Sequence, residues 1–90
     1  MTKDVRKSRK LVKQVQAFFS QKKRKRLRHI RELEDLIRKL KKREKNLQRY
    51  LDKHPDGKEA EEARKTQAIV HKKREKALLE LKKLKAEERQ

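Results

Sequence analysis

The tetrapeptide HPDG, His54 to Gly57, decides how this chain folds, because it is the one strong interruption in a sequence otherwise rich in helix formers. Pro55 disfavours helical geometry at His54, and Gly57 permits a turn. The spacing predicts a helix over 22–53, a turn over 54–57 and a second helix over 58–89. Asp56 is placed to accept from the free amides of the new first turn, and Glu59, three residues on, completes a capping-box spacing. Glu61 and Glu62 fall on the favourable side of the helix dipole.

The apolar pattern on either side of the turn predicts an antiparallel hairpin. Before it, Ile30, Leu33, Ile37, Leu40, Leu47 and Leu51 recur at three- and four-residue steps, with Glu44 in one polar slot. After it, Ala60, Ala63, Val70, Ala77, Leu81 and Leu84 do the same, with Gln67 and Arg74 as polar slots. Folding one run onto the other sets Leu51 against Ala60, Leu47 against Ala63, Leu40 against Val70, Leu33 against Ala77 and Ile30 against Leu81. Large faces small, as in a coiled-coil-like pair of closely approaching helices. The same register predicts ion pairs of Arg49 with Glu62, Arg31 with Glu80, and Lys76 with the Glu32 to Asp35 cluster. Tyr50, one turn from the bend, reads as a cap over the end of the seam.

Composition agrees with helices and argues against a large core. Apolar residues make up 31% of the chain, too few for a compact core of ordinary size, while Gly and Pro each occur once and Lys, Arg, Glu, Leu, Gln and Ala dominate. That balance selects long helices over disorder, although high charge with low hydrophobicity favours disorder on average. A two-helix seam is thin, so the sequence points to a dimer or to stabilisation by a bound partner.

Upstream of the hairpin, residues 1–21 read as a basic amphipathic helical extension. Leu11, Val12, Val15, Phe18 and Phe19 form one stripe, and the register brings Gln90 only as far back as about Gln21. With no Pro or Gly between residues 20 and 26, one continuous or bent helix of about 50 residues, roughly 75 Å long, is the simpler expectation. The extension then projects, and its stripe is a partner or dimer interface. Three occupants suit it: a second copy, a different protein favoured by the paired aromatics, or an anionic membrane surface favoured by the basic flanks. Base stacking by Phe18 or Phe19 is a lesser alternative.

The charge is the strongest functional signal. The net charge is +18, and residues 1–31 carry thirteen Lys or Arg against the single acid Asp4. The run KKRKRLRHIR, Lys22 to Arg31, holds seven basic residues and no acid, the footprint of a polyanion partner. The candidate nucleic-acid-binding residues are Lys22, Lys23, Arg24, Lys25, Arg28, Arg31, Arg38, Lys42, Lys45 and Arg49. Most fall at steps of three, four or seven on the face opposite the seam, interrupted once by Asp35, with Lys3, Lys7 and Lys10 on the same face upstream. Neighbours on such a stripe lie about 5–6 Å apart. Arg grips phosphate bidentately and stacks on bases, which Lys does not. A plain solvated face would carry more acids than this one does. KKRKR also matches a nuclear localisation signal, a short and common pattern. The first twenty residues loosely resemble an organelle transit peptide in composition, without a visible cleavage signal.

Catalytic chemistry finds no support. The chain has no Cys, its one Gly supplies no phosphate-cradling loop, and Ser8 and Ser20 have no base or orienting acid beside them in sequence. His29, His54 and His71 do not converge in the expected register, so no metal site and no cofactor are expected, and each His reads as a surface residue. A two-helix hairpin offers no pocket for paired carboxylates. No apolar run approaches membrane-spanning length.

The sequence therefore predicts an all-α, non-enzymatic, intracellular protein, cytoplasmic or in a nucleoid or nucleus, that binds nucleic acid through phosphates with weak sequence specificity. Structured RNA in a ribonucleoprotein is favoured over DNA, by fold-level analogy with small basic ribosomal proteins built of long helices. The alternative is a coiled-coil adaptor or oligomeric scaffold acting through Leu11 to Phe19, and a further alternative is binding to an anionic membrane surface.

Overall fold

A computed structural model describes residues 2–20 and 26–88, and among them it contains three helices and no strand: α1 (Lys3–Ser20), α2 (Arg26–Lys53) and α3 (Lys58–Glu88). The protein is all-α. Of the expected binding residues, Lys22, Lys23, Arg24 and Lys25 lie outside the described residues, as does the side chain of Arg28.

Local chemistry accounts for the helix ends. Thr2 caps α1, its hydroxyl accepting from the Val5 amide at 3.2 Å, and Asp4 adds a negative charge to the first turn. α2 closes with the His54 amide donating to the Tyr50 carbonyl at 2.8 Å, immediately before Pro55. Gly57 then adopts φ +107°, a conformation side-chain-bearing residues rarely take, and its carbonyl accepts from the Glu61 amide at 3.1 Å to open α3. The expected capping box is therefore not what starts α3. Glu59 is engaged elsewhere, accepting from the Tyr50 hydroxyl at 2.9 Å across the turn, and Arg64 donates to the Pro55 carbonyl.

The seam residues are buried as the alternation requires. Leu33, Leu40 and Leu47 of α2 and Ala63, Val70 and Ala77 of α3 are inaccessible to solvent, with Leu51 and Ala60 close behind at the turn end. Leu81 is only half-buried. The Tyr50 to Glu59 bond and a Gln67 to Glu44 bond of 3.3 Å tie the two helices at successive levels.

The amino-terminal helix does not project. α1 runs antiparallel along α2 and packs on both α2 and α3, and the longest dimension of the molecule is 50 Å, too short for a 75 Å helix. Val5, Leu11, Val12, Val15 and Phe18 join the core, and Phe19 packs against it half-buried. The physical reason lies in the seam itself. Ala60, Ala63, Thr66 and Ala77 leave α3 with little side-chain volume, and a third apolar helix fills the space. Burying each large side chain is worth about 1.5–3 kcal/mol. Helix breakers suffice to end a helix but are not necessary.

Small polar residues make the third layer possible. Ser8 and Thr66 are fully buried, and each hydroxyl donates to the carbonyl one turn back, Asp4 at 2.7 Å and Glu62 at 2.8 Å. With their polar atoms satisfied internally, both serve as small packing residues.

Candidate nucleic-acid interface

Both ends of α1 are pinned, and this fixes which basic groups it brings to α2. At its start, Asp4 pairs with Arg43 at 3.5 Å, an ion pair in which the Arg43 side chain is only 14% exposed. At its end, the Phe18 ring lies against His29 with centroids 4.0 Å apart, and the Lys76 ammonium sits 5.2 Å from the centre of the Phe19 ring. Phe18 and Phe19 are thus committed inside the fold, which removes both the base-stacking role and the free apolar stripe expected from the sequence. Leu11, Val12, Val15, Phe18 and Phe19 form no exposed interface for a second copy, a partner or a membrane. The argument for a dimer falls with it, because α1 supplies the third layer that the hairpin lacked.

Between α1 and α2 runs a cationic groove. A hollow of about 310 Å³ is lined by Lys7, Lys10, Leu11 and Gln14 from α1 and by Lys39, Lys42 and Arg43 from α2. Towards the turn it is followed by a second hollow, of about 250 Å³, lined by Asp4, Asn46, Arg49, Tyr50, Lys53 and His54. Seven cationic side chains therefore border the two hollows, over about 21 Å of α2 from residue 39 to residue 53. The acids nearby are already engaged: Asp4 with Arg43, and Asp35 with Lys39 at 3.3 Å and Arg38 at 3.8 Å.

The expected α2 stripe is only partly brought together. Arg31, Arg38, Lys42, Lys45 and Arg49 are all exposed. Lys42 and Arg49 border the α1 side, whereas Arg31 and Arg38 line a hollow with Glu34, Ile37 and Leu81 towards α3. Lys39, Arg43 and Lys53 join the groove although sequence spacing did not single them out. Their signal was absent from α2 alone, since it depends on where α1 docks.

The opposite flank of the hairpin is self-neutralised. Glu44, Gln67 and Arg74, the three polar slots of the seam, converge: Glu44 pairs with Arg74, while the Gln67 amide donates to the Glu44 carbonyl and to the Gln48 side chain at 3.0 Å. His71 places Nδ1 2.7 Å from Glu44 and Nε2 2.6 Å from Glu75. The hydrogen bond to Glu44 holds its pKa above the ordinary histidine value, against a lesser opposing effect of desolvation. Further along, Lys85 reaches Glu34 at 3.8 Å. Among the described residues these are the ion pairs between α2 and α3; Arg49 with Glu62, Arg31 with Glu80 and Lys76 with Glu34 or Asp35 are not among them. Long side chains reach past the residue directly opposite, so the register alone does not name the partner.

His54 and His71 are exposed as expected, His71 while bridging two carboxylates, whereas His29 is half-buried against Phe18. Tyr50 does cap the turn end, its ring 4.9 Å from that of His54. Its hydrogen bond to Glu59 raises the phenol pKa above the ordinary value. No group of three metal-ligating side chains converges among the described residues, and no described helix is long and apolar enough to cross a membrane. Compared with family models, with curated proteins and with solved structures, the chain matches none.

Proposed function

We propose that this protein is a non-enzymatic helical protein that binds nucleic acid, structured RNA in preference to DNA, by taking phosphates along the groove between α1 and α2. One observation carries the reading: Lys7 and Lys10 of α1 stand across one groove from Lys39, Lys42 and Arg43 of α2, where the acids nearby are already paired. A cluster of like charges costs free energy in the isolated protein, and a polyanion relieves that cost. Over about 21 Å, one strand of a duplex presents about six phosphates at roughly 3.4 Å each, against five unpaired cations and two more, Lys39 and Arg43, that share their charge with Asp35 and Asp4.

Binding through five to seven phosphates makes affinity fall with a slope of about −5 in log–log salt dependence, roughly a thousandfold between 50 and 200 mM salt. Titration of a labelled hairpin RNA and the matching DNA across that range is the test. A steep slope with tighter RNA binding supports the reading. A flat slope, or no binding to either at about 50 mM salt, overturns it.

A further inference from the structure

The hollow at the turn end of the groove has a chemistry unlike that of the rest of it. Its lining combines two aromatic rings, an amide and a carboxylate with two cations, Arg49 and Lys53. We propose that it receives one unstacked nucleobase bearing an exocyclic amine, from a single-stranded segment whose phosphates follow the groove over Lys42, Arg43 and Lys7. This rests on the nucleic-acid reading above and names the substrate class at the same site.

Four features carry it. The hollow, at about 250 Å³, is below the roughly 300–1,000 Å³ typical of drug-sized ligands and suits a single base. His54 is exposed and its ring lies 4.9 Å from that of Tyr50 at a 37° tilt, which leaves an aromatic face open beside the hollow. Asn46 is half-buried, and its amide makes no hydrogen bond among the described residues, so a donor and an acceptor stand unused at the wall. Asp4 brings a carboxylate to a place otherwise suited to anions, the amino-terminal end of a helix. Its Oδ1 pairs with Arg43 at 3.5 Å, and its second oxygen is left to accept from an amine, as carboxylates do from cytosine. Arg49 and Lys53 remain to hold the flanking phosphates.

The arrangement distinguishes adenine and cytosine from uracil, which has no exocyclic amine to offer Asp4. It also requires a base free of its stack, the usual condition for reading RNA.

The test uses the full chain with short single-stranded oligo(A), oligo(C) and oligo(U) and a duplex of equal phosphate number, at one salt concentration. Oligo(A) and oligo(C) bind roughly five- to tenfold tighter than oligo(U). Tyr50, the sole tyrosine in a chain without tryptophan, changes its emission with oligo(A) and not with the duplex. Asn46→Ala brings oligo(A) down to the oligo(U) level while the salt slope stays as in the parent, and Asp4→Asn equalises the two with a slope steeper by up to about one unit, because it releases Arg43. Equal affinities for the three oligonucleotides, or an unchanged ratio in Asn46→Ala, with steep salt dependence retained, overturn this proposal alone. Absence of binding to any of the four nucleic acids overturns the nucleic-acid reading with it.

Discussion

The two flanks of α2 draw on the same residue types and use them in opposite ways. Towards α3, basic groups are spent on acids of the same chain: Arg74 and His71 on Glu44, and Lys85 on Glu34. Towards α1, Lys7, Lys10, Lys42, Arg49 and Lys53 border the groove and make none of the ion pairs formed by the described residues. The cause is the direction in which the acids of α2 face: Glu34 and Glu44 meet Lys85, Arg74 and His71 of α3, whereas the α1 flank has only Asp4 to offer Arg43. On the proposed reading, net charge invites a polyanion and the difference between the flanks directs it to the α1 side.

The largest effect comes from removing the helix that makes the flanks unequal. Val15→Asp places a charge at a fully buried position and is expected to destabilise the protein by more than about 3 kcal/mol, releasing α1 and dissolving the groove. Urea denaturation followed by circular dichroism reads the stability, and RNA affinity at fixed salt should fall with it. A folded variant with full affinity would separate the groove from α1.

On the paired flank, Glu44→Ala leaves Arg74 partly buried without its carboxylate and frees His71 on one side. A loss of about 1–3 kcal/mol in denaturation midpoints is expected, with the salt slope of RNA binding unaltered. A change in slope would show that this flank also meets the ligand.

A smaller effect follows from pH. The folded pKa of His71 lies above its unfolded value, so its bridging contribution is complete below about pH 6.5 and is lost as pH rises through the raised value. Stability should therefore decline gently above that point, and His71→Gln should flatten the decline. An identical pH profile in the variant would assign the dependence to other groups. The smallest effect belongs to Tyr50→Phe, which removes the exposed bond to Glu59 and should lower the midpoint of thermal unfolding only slightly.

The hairpin was legible because Pro55 and Gly57 end and restart helices by covalent geometry, and because large-against-small alternation carries a register. The position of α1 was not. Its docking depends on the space left by Ala60, Ala63 and Ala77, a three-dimensional quantity that no window of the sequence contains. The proposed binding residues divided along the same line. Exposure of Lys42 and Arg49 followed from helical periodicity, but the inclusion of Lys7, Lys10, Lys39, Arg43 and Lys53 in one groove required knowing that α1 folds back. Glu44, Gln67 and Arg74 were each visible as breaks in the apolar pattern. That they satisfy one another across the seam was not, since their long side chains meet diagonally.

The inequality of the flanks is tested most directly by comparing two variants of identical charge. In one, Lys7, Lys10, Lys39 and Lys42 are replaced by Gln; in the other, the exposed Lys65, Lys72, Lys82 and Lys83 of α3 are replaced by Gln. The salt dependence of RNA binding should lose about three to four units of slope in the groove variant and less than about one in the α3 variant. Equal losses in the two would mean that the protein binds as a diffuse polycation, and would contradict the account.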